Sequence, residues 1–315
     1  MRNGCLGSVV ALAAVLTVVS LAPPPAAGQY PAAPTSLGGC PAEPLAFHTC
    51  ALEKAKTFDP PRIPGGRPDM QGYWFGRLVS EYSVEPVSET DPLARSAVEP
   101  WKIWPGMVVD PPDRKIPYQP WAAAIGRIGE NRQKYIDPRT SCRTAGVPRL
   151  AQQGDPVAKR DPHQILQPLG ENYVVWLFED SHVYRVITMD GRPHVGENIK
   201  LWNGDSLGRW EGNTLVVDVT NVNGYTWFDD AGNFYTDAAH LVERLTMIDP
   251  NTIHYEVTIE DPKAYTRPWK MVWALVREGP GFELLEEACL EGERDLPHFL
   301  QLGFRHYFGE SWRSR

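Results

Sequence analysis

His240, Glu243 and Arg244 stand together in the segment His240-Leu241-Val242-Glu243-Arg244, and they are residue types that move protons. A histidine titrating near neutrality beside a carboxylate makes a workable general base, and an arginine can hold the oxyanion that forms. Spacing sets which of them can cooperate. In a helix His240 would share a face with Glu243 or Arg244; in a strand it would share one with Arg244 and leave Glu243 opposite. With Asp218 as a further carboxylate, the expected catalytic set is His240, Glu243, Arg244 and Asp218. A structural ion pair between Glu243 and a basic neighbour is the competing reading, since such pairs also perturb titration.

Other groupings carry less. Gly204-Asp205-Ser206-Leu207 and Asp295-Leu296-Pro297-His298 imitate the two blocks of the GDSL hydrolases. There a histidine deprotonates the serine and an aspartate orients the histidine. Here the first block falls in a turn between strand-like segments and no Gly-x-Asn-Asp block accompanies it, so Asp205 and Ser206 read as turn residues. His182, His194, Asp205 and His240 include no His-x-x-x-His pair, and no metal is expected. Dinucleotide fingerprints, Walker loops and Cys-x-x-Cys-His haem attachments do not occur, so no organic cofactor is expected. Glu179, Arg185, Trp202, Trp210, Trp227 and Trp273 are expected to line a ligand cavity, with ordinary packing as the plainer role of each tryptophan.

Positioning these residues falls to β-strands. From His163 the chain reads as successive strands at 164–168, 173–179, 182–189, 198–202, 208–211, 214–221, 241–248, 253–260, 267–278 and 282–290, separated by turn residues such as Asp190-Gly191 and Asn203-Gly204. Short connections without long helices imply antiparallel neighbours. So many strands close into a barrel or a sandwich more readily than they lie flat. Leu215, Val217 and Val219 share one face, and Trp269, Met271, Trp273 and Leu275 share another. The expected fold is mainly β: an antiparallel barrel with a few short helices, an irregular insertion at about 90–160, and a proline-rich arm over 29–68 that holds one helix at Pro44–Lys56.

Pro68-Asp69-Met70-Gln71-Gly72-Tyr73-Trp74 resembles the Gly-x-Trp opening strand of lipocalin-like (calycin-like) barrels, in which the tryptophan plugs one end. The segment from Trp202 to Asp218, with Gly204-Asp205-Ser206-Leu207-Gly208-Arg209-Trp210-Glu211-Gly212 at its heart, is similar to a signature of a large family of uncharacterised exported bacterial proteins. That resemblance extends to Cys142-x-x-x-Gly146-Val147-Pro148-Arg149, to His240–Arg244 and to Asp261-Pro262-x-x-Tyr265. It implies export and a β-rich fold, and it supplies no activity.

Composition supports the same compartment. Arg2, the apolar run Cys5–Ala22 and the small residues before Gln29 make a secretory signal peptide with cleavage after Gly28, leaving no membrane span. Cleavage removes Arg2 and no acid, so 30 basic face 39 acidic side chains, a charge of −9. An acidic chain does not neutralise phosphates, which argues against nucleic-acid partners. Thirty prolines in 315 residues, about twice the usual share of roughly 5%, work against long helices. Four cysteines remain and allow three pairings, of which Cys40–Cys50 with Cys142–Cys289 is the expected one in an exported chain. The function expected is a cofactor-independent enzyme (isomerase, lyase, cyclase or hydrolase by proton transfer) acting on a largely apolar or aromatic small molecule. A periplasmic ligand carrier and a cell-envelope scaffold are the alternatives.

Overall fold

The computed structural model describes residues 35–78, 82–88, 90, 105–152, 161–168 and 172–315. The expected signal peptide and its cleavage point lie outside them, as does part of the expected insertion.

Strands β1 (Ser36–Leu37) and β2 (Cys40–Pro41) form a hairpin that leads into α1 (Pro44–Ala55). Pro44 suits the first helical turn, where its missing N–H costs nothing, and Glu43 Oε2 accepts from the Ala46 amide at 2.8 Å as an N-cap. The Cys40–Cys50 disulfide ties hairpin to helix, and buried Phe47 and Ala51 seat α1 on the outer face of the later strands. Much of the expected arm thus packs on the barrel. Next come β3 (Gly72–Arg77), β4 (Val108–Asp110), α2 (Pro120–Ala123), α3 (Glu130–Lys134), β5 (Tyr135–Ile136) and α4 (Arg149–Gln152). The main strands follow: β6 (His163–Leu166), β7 (Tyr173–Phe178), β8 (Tyr184–Thr188), β9 (Asp205–Glu211), β10 (Thr214–Thr220), β11 (His240–Asp249), β12 (Thr252–Glu260) and β13 (Trp269–Arg277). The chain ends with α5 (Asp295–Gln301), β14 (Arg305–His306), which pairs β5, and α6 (Glu310–Arg313).

Strands β3 and β6 to β13 pair in a closed ring, β13 meeting both β12 and β3, and β4 takes a further stretch of the β13 edge. The mainly-β barrel expected from the sequence is therefore present, but as a mixed barrel. Pairing is antiparallel except between β8 and β9, which run parallel through Thr188 and Leu207. A parallel pair needs a crossover, and residues 189–204 supply it. Asn221 anchors that crossover by donating Nδ2–H to the carbonyls of Gly196 and Ile199, each at 2.9 Å. Asn203-Gly204 does not close a hairpin: Gly204, at φ 68°, brings the crossover into β9 where a Cβ would lie 2.6 Å from the Thr220 carbonyl oxygen. The expected strand at 198–202 reduces to a single bridge, Leu201 to Val222. The expected strand at 282–290 is irregular chain, because β3 and β4 already occupy the open edge of β13.

Contacts between strands that are not neighbours identify the inside. Trp176 of β7 meets Tyr255 of β12 edge-on at 6.3 Å, and Arg185 of β8 meets Glu243 of β11, so all four side chains point inward. Trp269, Met271, Trp273 and Leu275 are opposite Ile259, Val257, Tyr255 and Ile253 in register and join them. Trp74 is wholly buried, donates Nε1–H to the Met70 carbonyl at 2.9 Å, and carries the Arg277 guanidinium 4.2 Å above its ring. All four residues of α4 are buried, and the Ala151 carbonyl accepts from inward-facing Trp273 Nε1 at 2.9 Å. The Cys142–Cys289 disulfide holds this irregular region to the segment after β13, and both bonds thus pair as expected. Among the described residues no helix is long and apolar enough to cross a membrane.

Candidate functional site: an ionic centre inside the barrel

Period-two alternation on β8 sends Tyr184 and Val186 outward and Arg185 and Ile187 inward, and on β11 it sends Leu241, Glu243 and Leu245 inward. Arg185 and Glu243 meet as a two-pronged pair, Nη1 to Oε1 at 3.1 Å and Nη2 to Oε2 at 2.6 Å, with side chains 2% and 0% exposed. Arg185 Nη2 also donates to Ser206 Oγ at 2.9 Å, and the Tyr255 hydroxyl donates to Glu243 Oε1. Burial opposes the guanidinium charge, but the charge and hydrogen bonds of Glu243 outweigh it and raise the Arg185 pKa. Burial first, then the Glu243 charge, lifts the Tyr255 phenol well above its usual range, so it remains a neutral donor.

Aromatic rings wall this centre. Trp176 lies 5.7 Å from the Arg185 guanidinium, and Trp273 lies against Tyr255 with ring centroids 4.1 Å apart. Trp176 Nε1–H donates to His163 Nδ1 at 2.8 Å. An indole only donates, so His163 Nδ1 offers its lone pair and Nε2 carries the hydrogen. Burial pushes the His163 pKa down to about 3, keeping the ring neutral. Among the described residues, His163 Nε2 and Arg185 Nε beside Trp176 are buried donors without a partner. An unmet buried donor costs about 1–3 kcal/mol.

The expected catalytic set divides between the two faces of the wall. His240 and Asp218 meet on the outer face, Nε2 to Oδ2 at 3.1 Å. Glu243 points inward, and Arg244 points outward to Glu211 Oε2 at 2.9 Å. Asp218 also faces His194 Nε2 at 2.9 Å, and His194 Nδ1 faces Asp205 Oδ2 at 3.0 Å. Hydrogen bonding from His240 depresses the Asp218 pKa against the effect of burial, and His194 adds to the depression. The same bond raises His240, again against burial. Burial pushes the Asp205 carboxyl up, yet Arg192, the Val195 amide and His194 together bring it below the usual range. Because Arg192 and His194 belong to the crossover, this network also pins the crossover to the wall.

The expected cavity-lining residues separate too. Arg185 and Trp273 face the interior, whereas Trp227 is buried against Tyr307 at 5.2 Å and Trp202 meets Tyr225 edge-on at 5.5 Å. Trp210 is partly buried against the core, and Glu179 Oε2 accepts from the Leu285 amide at 2.7 Å. Ser206 is buried on β9 while Asp295 and His298 are exposed on α5, so no hydrolase triad forms. A cleft of about 270 Å³ beside the Cys142–Cys289 bond is lined by Asp137, Arg149, Asp180 and Asp230 among others, and Arg149 there is held by Asp137 at 2.8 Å and Asp230 at 2.7 Å.

Sequence reasoning missed Tyr255 and His163. Their signal was the inward parity shared with Val257 and Ile165, which needs the face of each strand to be known. Among the described residues one group has metal-ligand spacing, namely His48, His254 and Glu256. No protein-family model, no curated protein and no solved structure matches the chain.

Proposed function

We propose that this is an exported barrel protein that binds a small, largely aromatic or apolar molecule in its interior. The observation that carries this reading is the pair of unpartnered donors, His163 Nε2 and Arg185 Nε, in an aromatic interior that includes Trp176. Glu243 already neutralises Arg185, so a neutral acceptor such as a carbonyl or hydroxyl suits these donors better than a carboxylate does. Export is supported by the signal-peptide pattern, by two disulfides and by the Trp202–Asp218 signature resemblance.

The test is native mass spectrometry of protein taken from the periplasm, followed by tryptophan-fluorescence titration with aromatic ketones and phenols. Arg185→Ala would strand the buried Glu243 charge at about 3–5 kcal/mol, whereas His163→Phe strands only the neutral Trp176 indole donor at about 1–3 kcal/mol, so His163→Phe is the more informative variant. It should weaken binding about tenfold, the worth of roughly one hydrogen bond, with the circular dichroism unchanged. If no molecule is retained and no titration saturates, the interior is simply core and the reading fails.

Proton-transfer catalysis is the second reading, favoured by the half-exposed His240–Asp218 pair. It would use the outer wall and would not recruit Glu243. Turnover abolished by His240→Gln, with interior binding intact, separates it from the first.

A further inference from the structure

We propose that His48, His254 and Glu256 form a binding site for a zinc-class divalent cation, clamping α1 to the outer wall of the barrel. His48 Nδ1 lies 3.0 Å from His254 Nε2 and 3.9 Å from Glu256 Oε2, and one donor atom from each of the three residues falls within 4.8 Å of the others. In a tetrahedral site with bonds of about 2.0–2.1 Å, ligand atoms stand roughly 3.3 Å apart, so these separations bracket the required spacing. Two imidazoles and a carboxylate are a usual zinc donor set, with one position left for water or another ligand.

The frame holding these atoms is rigid. His254 and Glu256 share the outward face of β12, a strand paired along both edges by β11 and β13. His48 lies on α1, two residues before Cys50, whose disulfide fixes that helix to β2. His254 and Glu256 are buried at 3% and 6% exposure, while the His48 side chain, at 17%, leaves a path for an ion to enter. The other carboxylate oxygen, Glu256 Oε1, is held by Lys270 Nζ at 3.0 Å. Lys270 therefore competes with a cation for the charge of the carboxylate. That competition separates an ion site from a mere histidine–histidine hydrogen bond beside a salt bridge, because only an ion site gains from losing the lysine.

The full secreted chain, purified without a histidine tag and stripped with EDTA, should be titrated with Zn²⁺ by calorimetry and with Co²⁺ by visible absorption. One ion per chain is expected, with the intense cobalt bands of tetrahedral coordination and a rise in melting temperature on zinc addition. His48→Gln, on a surface helix, should weaken binding at least tenfold and abolish the cobalt bands. Glu256→Gln should weaken it too, whereas Lys270→Met should tighten it and His298→Gln, an exposed control, should change nothing. Absence of saturable binding, binding unaffected by His48→Gln in a folded protein, or Lys270→Met weakening binding would each overturn the proposal.

Discussion

A single residue's orientation decides most of the chemistry in this protein. Glu243 and Arg244 are chain neighbours, yet one is sealed against Arg185 and the other meets Glu211 in solvent. His240 and Asp218 form the outer pair, and their opposite pKa shifts set a pH window. The depressed Asp218 contributes stability above its unfolded pKa and loses it as pH falls through the folded value; the raised His240 contributes fully below its unfolded pKa and loses it as pH rises through the folded value. Glu260 raises His240 in the same sense, and His194 shares Asp218. Asp218→Asn should therefore lower the urea midpoint more at pH 5.5 than at pH 9. An equal loss at both values would show that the pair is not ionic.

At the scale of elements, the barrel relies on two kinds of tie. Cys40–Cys50 closes a separation of 10 residues and Cys142–Cys289 one of 147. Loop-closure entropy makes the first worth about 2.5–3 kcal/mol and the second about 5 kcal/mol. Equilibrium denaturation of Cys40→Ala/Cys50→Ala and Cys142→Ala/Cys289→Ala should show that order; a larger loss in the first variant would mean that strain or residual unfolded structure dominates. Proline supplies the other discipline. α1 tolerates Pro44 because it opens the helix, and the longest other helix among the described residues is α5, Asp295–Gln301.

For the molecule as a whole, closure is uneven. β11 and β12 pair along most of their lengths, whereas β8 and β9 share a single paired position and depend on the crossover network of Asn221, His194 and Asp205. Hydrogen exchange should therefore be fastest, within the ring, at β8 amides facing β9 and slowest at the β11–β12 ladder. Uniform protection around the ring would show that the crossover closes the seam as firmly as a full ladder.

Much of this was legible in the residues alone. The strand expected at 241–248 is present as β11, but the residues alone left helix and strand open for His240–Arg244 and grouped His240 with Glu243, which the strand then separates. Turn residues and short connections specified many adjacent strands, and an even cysteine count specified disulfides. What only the tertiary structure decided is which strands face each other across the interior. Arg185, Ser206, Glu243 and Tyr255 come from four strands, and His48 reaches His254 from a helix 206 residues away in sequence. Periodicity is a local property of the backbone and gives each side chain a face, but ring closure is a long-range event. It alone determines which inward faces meet, and among the described residues it leaves His163 Nε2 and Arg185 Nε unpaired.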